Sequence, residues 1–169
     1  MRLARVRIRN FRCFKDEVAL DVGNFTALIG RNEAGKSTVL EALAVFFETQ
    51  KLDKDDACKL GNTAEVTIAC EFEDFPASIV LDSAHATTLA AESLLNEHGR
   101  LEIRKTYDCS KAKPGEPKVE AIAQMVDHEM VRDLMGLKIA ALKKRLKDLR
   151  LPEDGINLTI SSEIRGRIR

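Results

Sequence analysis

Eight consecutive residues, Gly30-Arg31-Asn32-Glu33-Ala34-Gly35-Lys36-Ser37, fit the spacing GxxxxGK[ST], and Thr38 follows them. That pattern is suited to holding the phosphate tail of a nucleoside triphosphate. Gly30 and Gly35 are expected to permit backbone angles and close approaches that a Cβ would block. Successive loop N–H groups and a helix N-terminus would then point at the phosphates. Lys36 is the candidate catalytic cation, its ammonium reaching the β- and γ-phosphates. The Ser37 hydroxyl is placed to ligate Mg²⁺, and Thr38 to bond near the α-phosphate. The plainer alternative is a glycine-rich turn that only caps a helix. The motif specifies binding of a nucleoside triphosphate and says little about the use made of it. No NKxD occurs, which disfavours guanine specificity.

Such a loop needs a strand before it and a helix after it. Phe25 to Ile29 (FTALI) is a nearly continuous apolar run, read as a buried central strand. A helix is expected from about Ser37 to Glu48, with Val39, Leu40, Leu43, Phe46 and Phe47 forming one apolar stripe. Upstream, Leu3 to Arg9 alternates, with Ala4, Val6 and Ile8 on one side and arginines on the other. Glu17 to Val22 reads as a second short strand. Downstream, residues 50–63 read as an exposed loop. Ala64 to Asp74 alternates Val66, Ile68, Cys70 and Phe72 inward. Thr87 to Asn96 looks helical, and Leu101 to Tyr107 alternates again. The KAKPGEP segment at 111–117 is a hairpin tip. Lys118 to Ile122 is its returning strand. Asp133 to Leu149 forms a basic amphipathic helix with Leu134, Leu137, Ala141, Leu142, Leu146 and Leu149 inward, ended by Pro152.

The chain has 169 residues, enough for a core without staples. Its 27 basic and 27 acidic residues cancel, so no bulk charge announces a nucleic-acid or membrane partner. The charge is uneven, however, with two basic ends flanking an acidic middle. Trp is absent and Tyr occurs once, which argues against an aromatic stacking surface. Cys13, Cys58, Cys70 and Cys109 show no CxxC spacing, so free thiols in a reducing cytoplasm are expected, not zinc or disulfides. No apolar stretch is long enough for a membrane span.

Other candidates have bland readings. His85, His98 and His128 lie far apart, as surface histidines do. Asp53, Asp55 and Asp56 sit among lysines without the glycine and terminal Glu of a calcium loop, so a solvated loop is favoured. The arginines of the first strand could face DNA or could simply solvate that face. Lys143, Lys144, Arg145 and Lys147 form a basic helix face, read first as part of a packed lateral helix or the root of a dimerising arm.

The order of strand, Asn10-Phe11-Arg12, strand and phosphate loop resembles the N-terminal half of the ABC-type ATPase heads of the SMC/RecF class. The resemblance rests on "IRNFRCFKD" some twenty residues before "LIGRNEAGKSTVLEAL". Within that class, "IGRNEAGKSTVLEAL", "EVTIACEFEDFP" and "TTLAAESLLNEHGRLEIRK" look most like the OLD (overcoming lysogenization defect) family, which joins an ATPase head to a Toprim nuclease. The resemblance implies that Arg12 reaches the nucleotide phosphates or the adenine edge. It also implies that Asn32 is the loop Asn of the class and that Gly30, Gly35, Lys36, Ser37 and Thr38 match directly. Glu33-Ala34 stands where many relatives have Gly-Ser, so Glu33 is expected to point outward.

The fold expected is α/β, a P-loop NTPase of ABC/SMC-head type. Its sheet is mixed, an antiparallel β flap beside a parallel core. The chain reads as one incomplete N-terminal lobe. Residues 1–49 carry the strands, loop and first helix. Residues 50–63 are a loop, 64–123 the flap region, and 124–169 the basic helix and chain end. No apolar run ending in Asp-Glu comes after the loop, no LSGGQ-like signature is visible, and no Toprim acids occur. Gln124 has no diagnostic spacing for a Q-loop. The expected function is therefore ATP and Mg²⁺ binding by part of a longer ATPase, itself inactive alone. The resemblance adds DNA and a head-to-head homodimer as partners of the longer protein. The alternative is a non-catalytic nucleotide-sensing or assembly module. A small P-loop kinase is disfavoured, because it would leave the N-terminal strands unexplained.

Overall fold

A computed structural model of the chain describes residues 1–82, 85–124 and 129–169. These fall into two compact units, residues 1–74 with 100–122, and residues 75–99 with 123–169.

The first unit is built on a five-stranded sheet of order β2-β1-β3-β6-β7. Its strands are β1 (Arg2–Arg9), β2 (Val18–Asp21), β3 (Val66–Glu73), β6 (Leu101–Tyr107) and β7 (Lys118–Ile122). Every neighbouring pair is antiparallel. Period-two alternation sends one set of side chains to each face. In the register Val6↔Cys70↔Ile103 and Ile8↔Ile68↔Lys105, the inner face carries Val6, Ile8, Val66, Ile68 and Cys70, all fully buried. Each large aliphatic removed from water there contributes about 1.5–3 kcal/mol.

The other face is charged. Arg2 engages Glu73 and Asp74, Arg5 bonds Asp21 at 2.7 Å, and Arg7 engages Glu102. Arg100 reaches Glu71 at 3.3 Å and Glu73 at 3.1 Å. The alternating arginines of β1 are thus largely matched by carboxylates of adjacent strands.

The helix α1 (Lys36–Phe46) starts one residue before and ends two residues before the bounds that the sequence suggests. Its buried residues are Thr38, Val39, Ala42, Val45 and Phe46. Phe46 meets Phe72 of β3 with ring centroids 6.3 Å apart. The expected stripe is therefore rotated. Val39 and Phe46 do face inward, but Leu40 is 61% and Phe47 51% exposed. The helix is apolar on two sides, so counting apolar spacings alone could not choose which side meets the sheet.

Two further expectations are corrected in this unit. Residues 25–29 join no ladder, and Phe25 and Ile29 are 88% and 93% exposed. β1 already has β2 and β3 on its two edges, which leaves 25–29 no place beside it. The antiparallel part of the sheet is thus formed, and no parallel pair occurs among the described strands. The 50–63 segment is not simply an exposed loop. It contains a 3₁₀ turn at Lys54–Asp56, and Asp56, Ala57 and Cys58 are buried.

The second unit holds a hairpin of β4 (Ile79–Asp82) and β5 (His85–Thr87), and the helices α2 (Ile139–Asp148) and α3 (Ser161–Ile168). Val131, Leu134, Leu142, Leu146, Ile164 and Ile168 form its core. The expected 133–149 helix is a 3₁₀ turn at Leu134–Gly136 followed by α2, and Ala141 faces solvent. Residues 87–96 make a single turn that breaks at Ser93, whose φ is 50°. The reason is tertiary. Glu92, which a surface helix would expose, is 1% exposed and bonded twice by Arg165 of α3 at 2.9 Å.

Candidate functional site

The 30–38 loop ends in Gly35, the N-cap of α1, with φ 87° in the left-handed region. A Cβ there would lie 2.6 Å from the Phe14 ring and 3.1 Å from Cys13 Sγ. Backbone conformation and packing thus both require glycine at this point. Gly30 is different. It has no positive φ, and its nearest contact would be an ordinary 3.6 Å to Ala34. Within the chain itself, the backbone and packing need for glycine therefore lies at Gly35 and not at Gly30.

The first turn of α1 has no side-chain cap and no acidic residue. The main-chain N–H groups at its start are orphan donors with the positive end of the helix dipole behind them. Val39 N–H is the first to bond back, to Gly35 O at 3.1 Å. Lys36 folds over the loop, its Nζ donating to Gly30 O at 2.8 Å and Arg31 O at 2.7 Å. Ser37 is exposed at the helix start, whereas Thr38 is buried. Arg31, Asn32, Glu33 and Ala34 are all exposed, and Glu33 has φ 67°. Open amides, one ammonium and two hydroxyls on a tight bend can surround a polyanion and a bridging divalent cation.

Beside the loop lies the turn of Asn10-Phe11-Arg12. Asn10 and Arg12 have φ of 56° and 49°. Cys13 Sγ lies 3.6 Å from Thr38 Oγ1, so this turn packs on the first turn of α1. Arg12 Nε donates to Asp56 Oδ1 at 2.8 Å, and Nη1 engages Glu41 of α1. Partial burial works against the Arg12 charge, but its hydrogen bonds to Asp56 and Glu41 outweigh that and raise its pKa.

The fold brings Asp56 and Glu41 to Arg12, a link that the sequence reading does not make. Asp56 closes a capping box with Asp53, and its Oδ2 accepts Asp53 N–H at 2.8 Å. The D-x-x-D spacing was the available signal. Asn10 is buried, with its amide donating to Glu65 O at 2.9 Å.

The remaining candidates lie elsewhere. His85 and His98 are exposed, and His128 lies outside the described residues. Gln124 is exposed, its N–H bonded to Leu95 O at 3.0 Å. On α2, Lys144 and Lys147 are exposed and Lys143 is half-buried, while Arg145 is engaged by Asp133. Cys58, Cys70 and Cys109 are buried and Cys13 is exposed, all as free thiols. Among the described residues no cluster of His, Cys, Asp or Glu could hold a metal, and no helix is long and apolar enough to cross a membrane.

Comparison with known proteins bears on this geometry. A 41-residue segment is 46% identical to an OLD nuclease of Thermus scotoductus, covering 24% of this chain and 8% of that protein. A 56-residue segment is 39% identical to an uncharacterized protein of Methanocaldococcus jannaschii, covering 33% of this chain and 17% of that one. The matches thus span less than a fifth of these relatives. Among solved structures, the chain is similar to an SMC ATPase studied for ATP-driven dimerization and DNA stimulated activation. That match has a TM-score of 0.48 and 13% identity, over 97% of this chain and 89% of the other. It is also similar to the SMC head domain from Thermotoga maritima, with a TM-score of 0.46 and 11% identity, over 87% of this chain and 51% of the other. The family model for the AAA ATPase domain matches residues 1–164, and the chain belongs to that family.

Proposed function

We propose that the chain is the ATP- and Mg²⁺-binding N-terminal part of an ATPase head from a DNA-processing or phage-defence nuclease. The observation that supports this most is the loop itself. A left-handed Gly35 opens a helix whose first amides carry no side-chain cap, and Lys36 lies across the loop carbonyls. In this reading the amides of residues 31–38 take the phosphate oxygens. Lys36 exchanges its two carbonyl partners for the β- and γ-phosphates. Ser37 would hold Mg²⁺, since its exposed hydroxyl at the start of α1 is an oxygen donor of the kind the ion takes. When bound, Mg²⁺ would supply charge neutralisation for transfer of the γ-phosphoryl group to water.

The water-orienting acid and the partner head would come from sequence beyond these residues and from a second copy, as the OLD/SMC resemblance implies. Exposed Phe25, Ile29, Leu40 and Phe47, all in the first unit, fit a lobe that packs against further elements. DNA as partner of the whole protein is part of this proposal and rests on the OLD resemblance. Four free thiols fit a reducing cytoplasm.

The test is titration of the chain with a fluorescent ATP analogue and Mg²⁺, with Lys36→Ala as control. Loss of at least tenfold in affinity is expected for the variant. Equal binding would remove Lys36 from the assigned role.

A further inference from the structure

We infer that Phe14 is a positioning residue, its ring holding Gly35 in the left-handed conformation that aims the amides of the 30–38 loop. The inference rests on the nucleotide-binding reading above and adds to it a residue that acts through the loop and not on the ligand.

Gly35 is the joint of the loop. Its two backbone dihedrals, φ 87° and ψ 9°, set the angle between the bend at 30–34 and the first turn of α1. The amides on the two sides of that joint can face one ligand only while those angles hold. Glycine does not hold them by itself. It populates positive and negative φ about equally and gives up more freedom than any other residue when fixed. The bond from Val39 N–H to Gly35 O ties only the helix side of the joint. The conformation therefore calls for a hold from outside the loop.

The 10–14 turn supplies it. A Cβ on Gly35 would lie 2.6 Å from Phe14 Cζ, 2.9 Å from Phe14 Cε1 and 3.1 Å from Cys13 Sγ. The edge of the ring and the thiol thus fill the open side of the Gly35 Cα. Cys13 Sγ also lies 3.6 Å from Thr38 Oγ1, so the same turn touches both ends of the 35–38 segment. The ring can press on Gly35 because its own backbone is fixed. Phe14 N–H donates to Phe11 O at 2.9 Å, and Phe11 N–H donates to Phe14 O at 3.0 Å. Phe11 is fully buried and forms a β-bridge with Ala57. Arg12 N–H donates to Asp56 O at 2.7 Å, and Cys58 N–H donates to Asn10 O at 2.8 Å. The 56–58 segment backs the 10–14 turn, and the turn backs Gly35. A loop fixed in advance loses less freedom when it binds phosphate than one that binding must order.

The experiment measures the affinity of the 169-residue chain for the fluorescent ATP analogue with Mg²⁺, and for inorganic tripolyphosphate as its competitor. Phe14→Ala is expected to weaken both roughly three- to tenfold, within the cost of ordering the backbone of one residue. Thermal unfolding of each variant shows that it is folded at the binding temperature, where lost packing alone would leave affinity unchanged. Phe14→Leu keeps apolar bulk beside Gly35 and should weaken both probes, but less than Phe14→Ala does. It carries the test if Phe14→Ala does not fold, and unchanged affinity in Phe14→Leu would then overturn the proposal. Gly35→Ala should lower the thermal midpoint less in the Phe14→Ala background than in the parent, because the ring that the new Cβ strikes is gone. Unchanged affinity in a folded Phe14→Ala chain would overturn the proposal. So would a loss confined to the ATP analogue, which would place the ring against the base or sugar, and so would equal midpoint drops in the two backgrounds. Lys36→Ala separates the two readings. If it binds both probes normally, the loop assignment fails and takes this proposal with it. If it loses affinity while Phe14→Ala does not, the positioning role alone fails.

Discussion

Lys105 of β6 places its Nζ 2.9 Å from the main-chain oxygen of Phe46, at the C-terminus of α1. The same ammonium lies 5.2 Å from the Phe46 ring centroid and engages the Glu48 carboxylate. Its stem runs along the inner, otherwise apolar face of the sheet, so Lys105 is only 8% exposed. A cation at the carbonyl end satisfies an orphan acceptor and opposes the negative end of the helix dipole. The bond from Lys105 also holds the Glu48 carboxyl below its ordinary range. The helix that begins at Gly35 is therefore fastened at its far end by a residue 59 positions later in the chain.

Lys105→Met keeps the apolar stem and removes the charge. It is expected to destabilise the first unit by about 1–3 kcal/mol, the cost of leaving a buried acceptor unsatisfied. Urea unfolding followed by circular dichroism measures this. Unchanged stability would show that the contact contributes nothing.

The two glycines of the loop should separate in a substitution experiment. Gly35→Ala meets both a left-handed φ and the Phe14 ring, and should cost more than the roughly 1 kcal/mol of the backbone term alone. Gly30→Ala meets only an ordinary contact and should leave the thermal midpoint within about a degree of the parent, as a change of a few tenths of a kcal/mol implies. Equal destabilisation by both would contradict the geometry described for the loop.

How much of this was legible in the sequence depends on the distance over which each feature is decided. β1, β3, β6 and β7 obey local alternation and were readable to within two residues at each end. The loop was readable because its residue types serve backbone geometry at fixed spacing. The 25–29 segment was not. Its apolar run is what a buried strand needs, but whether a strand pairs depends on which edges are open. The orientation of α1 was hidden because the helix is apolar on two sides. Arg12 could be named from the resemblance, whereas its holders Glu41 and Asp56 lie 29 and 44 positions away. No local pattern links them to it. The 87–96 helix failed for a similar reason, since Glu92 answers to Arg165.

Thiol chemistry gives a separate check on burial. Cys13 is exposed, whereas burial pushes the Cys70 thiol up to about 12 and, with help from Asp56, that of Cys109 up to about 11. Ellman's reagent at pH 8 should therefore titrate a single fast thiol, lost in Cys13→Ser. The other three should react only on unfolding. Rapid reaction of more than one thiol in the folded chain would contradict the packing of β3 and the 57–58 segment.

The pairing of Glu92 with Arg165 and Arg169 makes the second unit acid-sensitive in a defined direction. Burial alone would raise the Glu92 pKa, but hydrogen bonds from Arg165 and the charges of both arginines outweigh it and hold it below its ordinary 4.5. The folded chain thus binds fewer protons at this group than the unfolded chain does. Its stabilising effect is complete above pH 4.5 and is lost as pH falls through the lower folded value. Glu92→Gln removes the carboxylate that both guanidiniums engage. It should cost about 3–5 kcal/mol at neutral pH, as breaking one side of a buried ion pair does. The gap between parent and variant should then narrow on acidification below 4.5. Urea unfolding between pH 3 and 7 reads both effects. A gap that stays constant across that range would show that Glu92 acts by packing and not by charge.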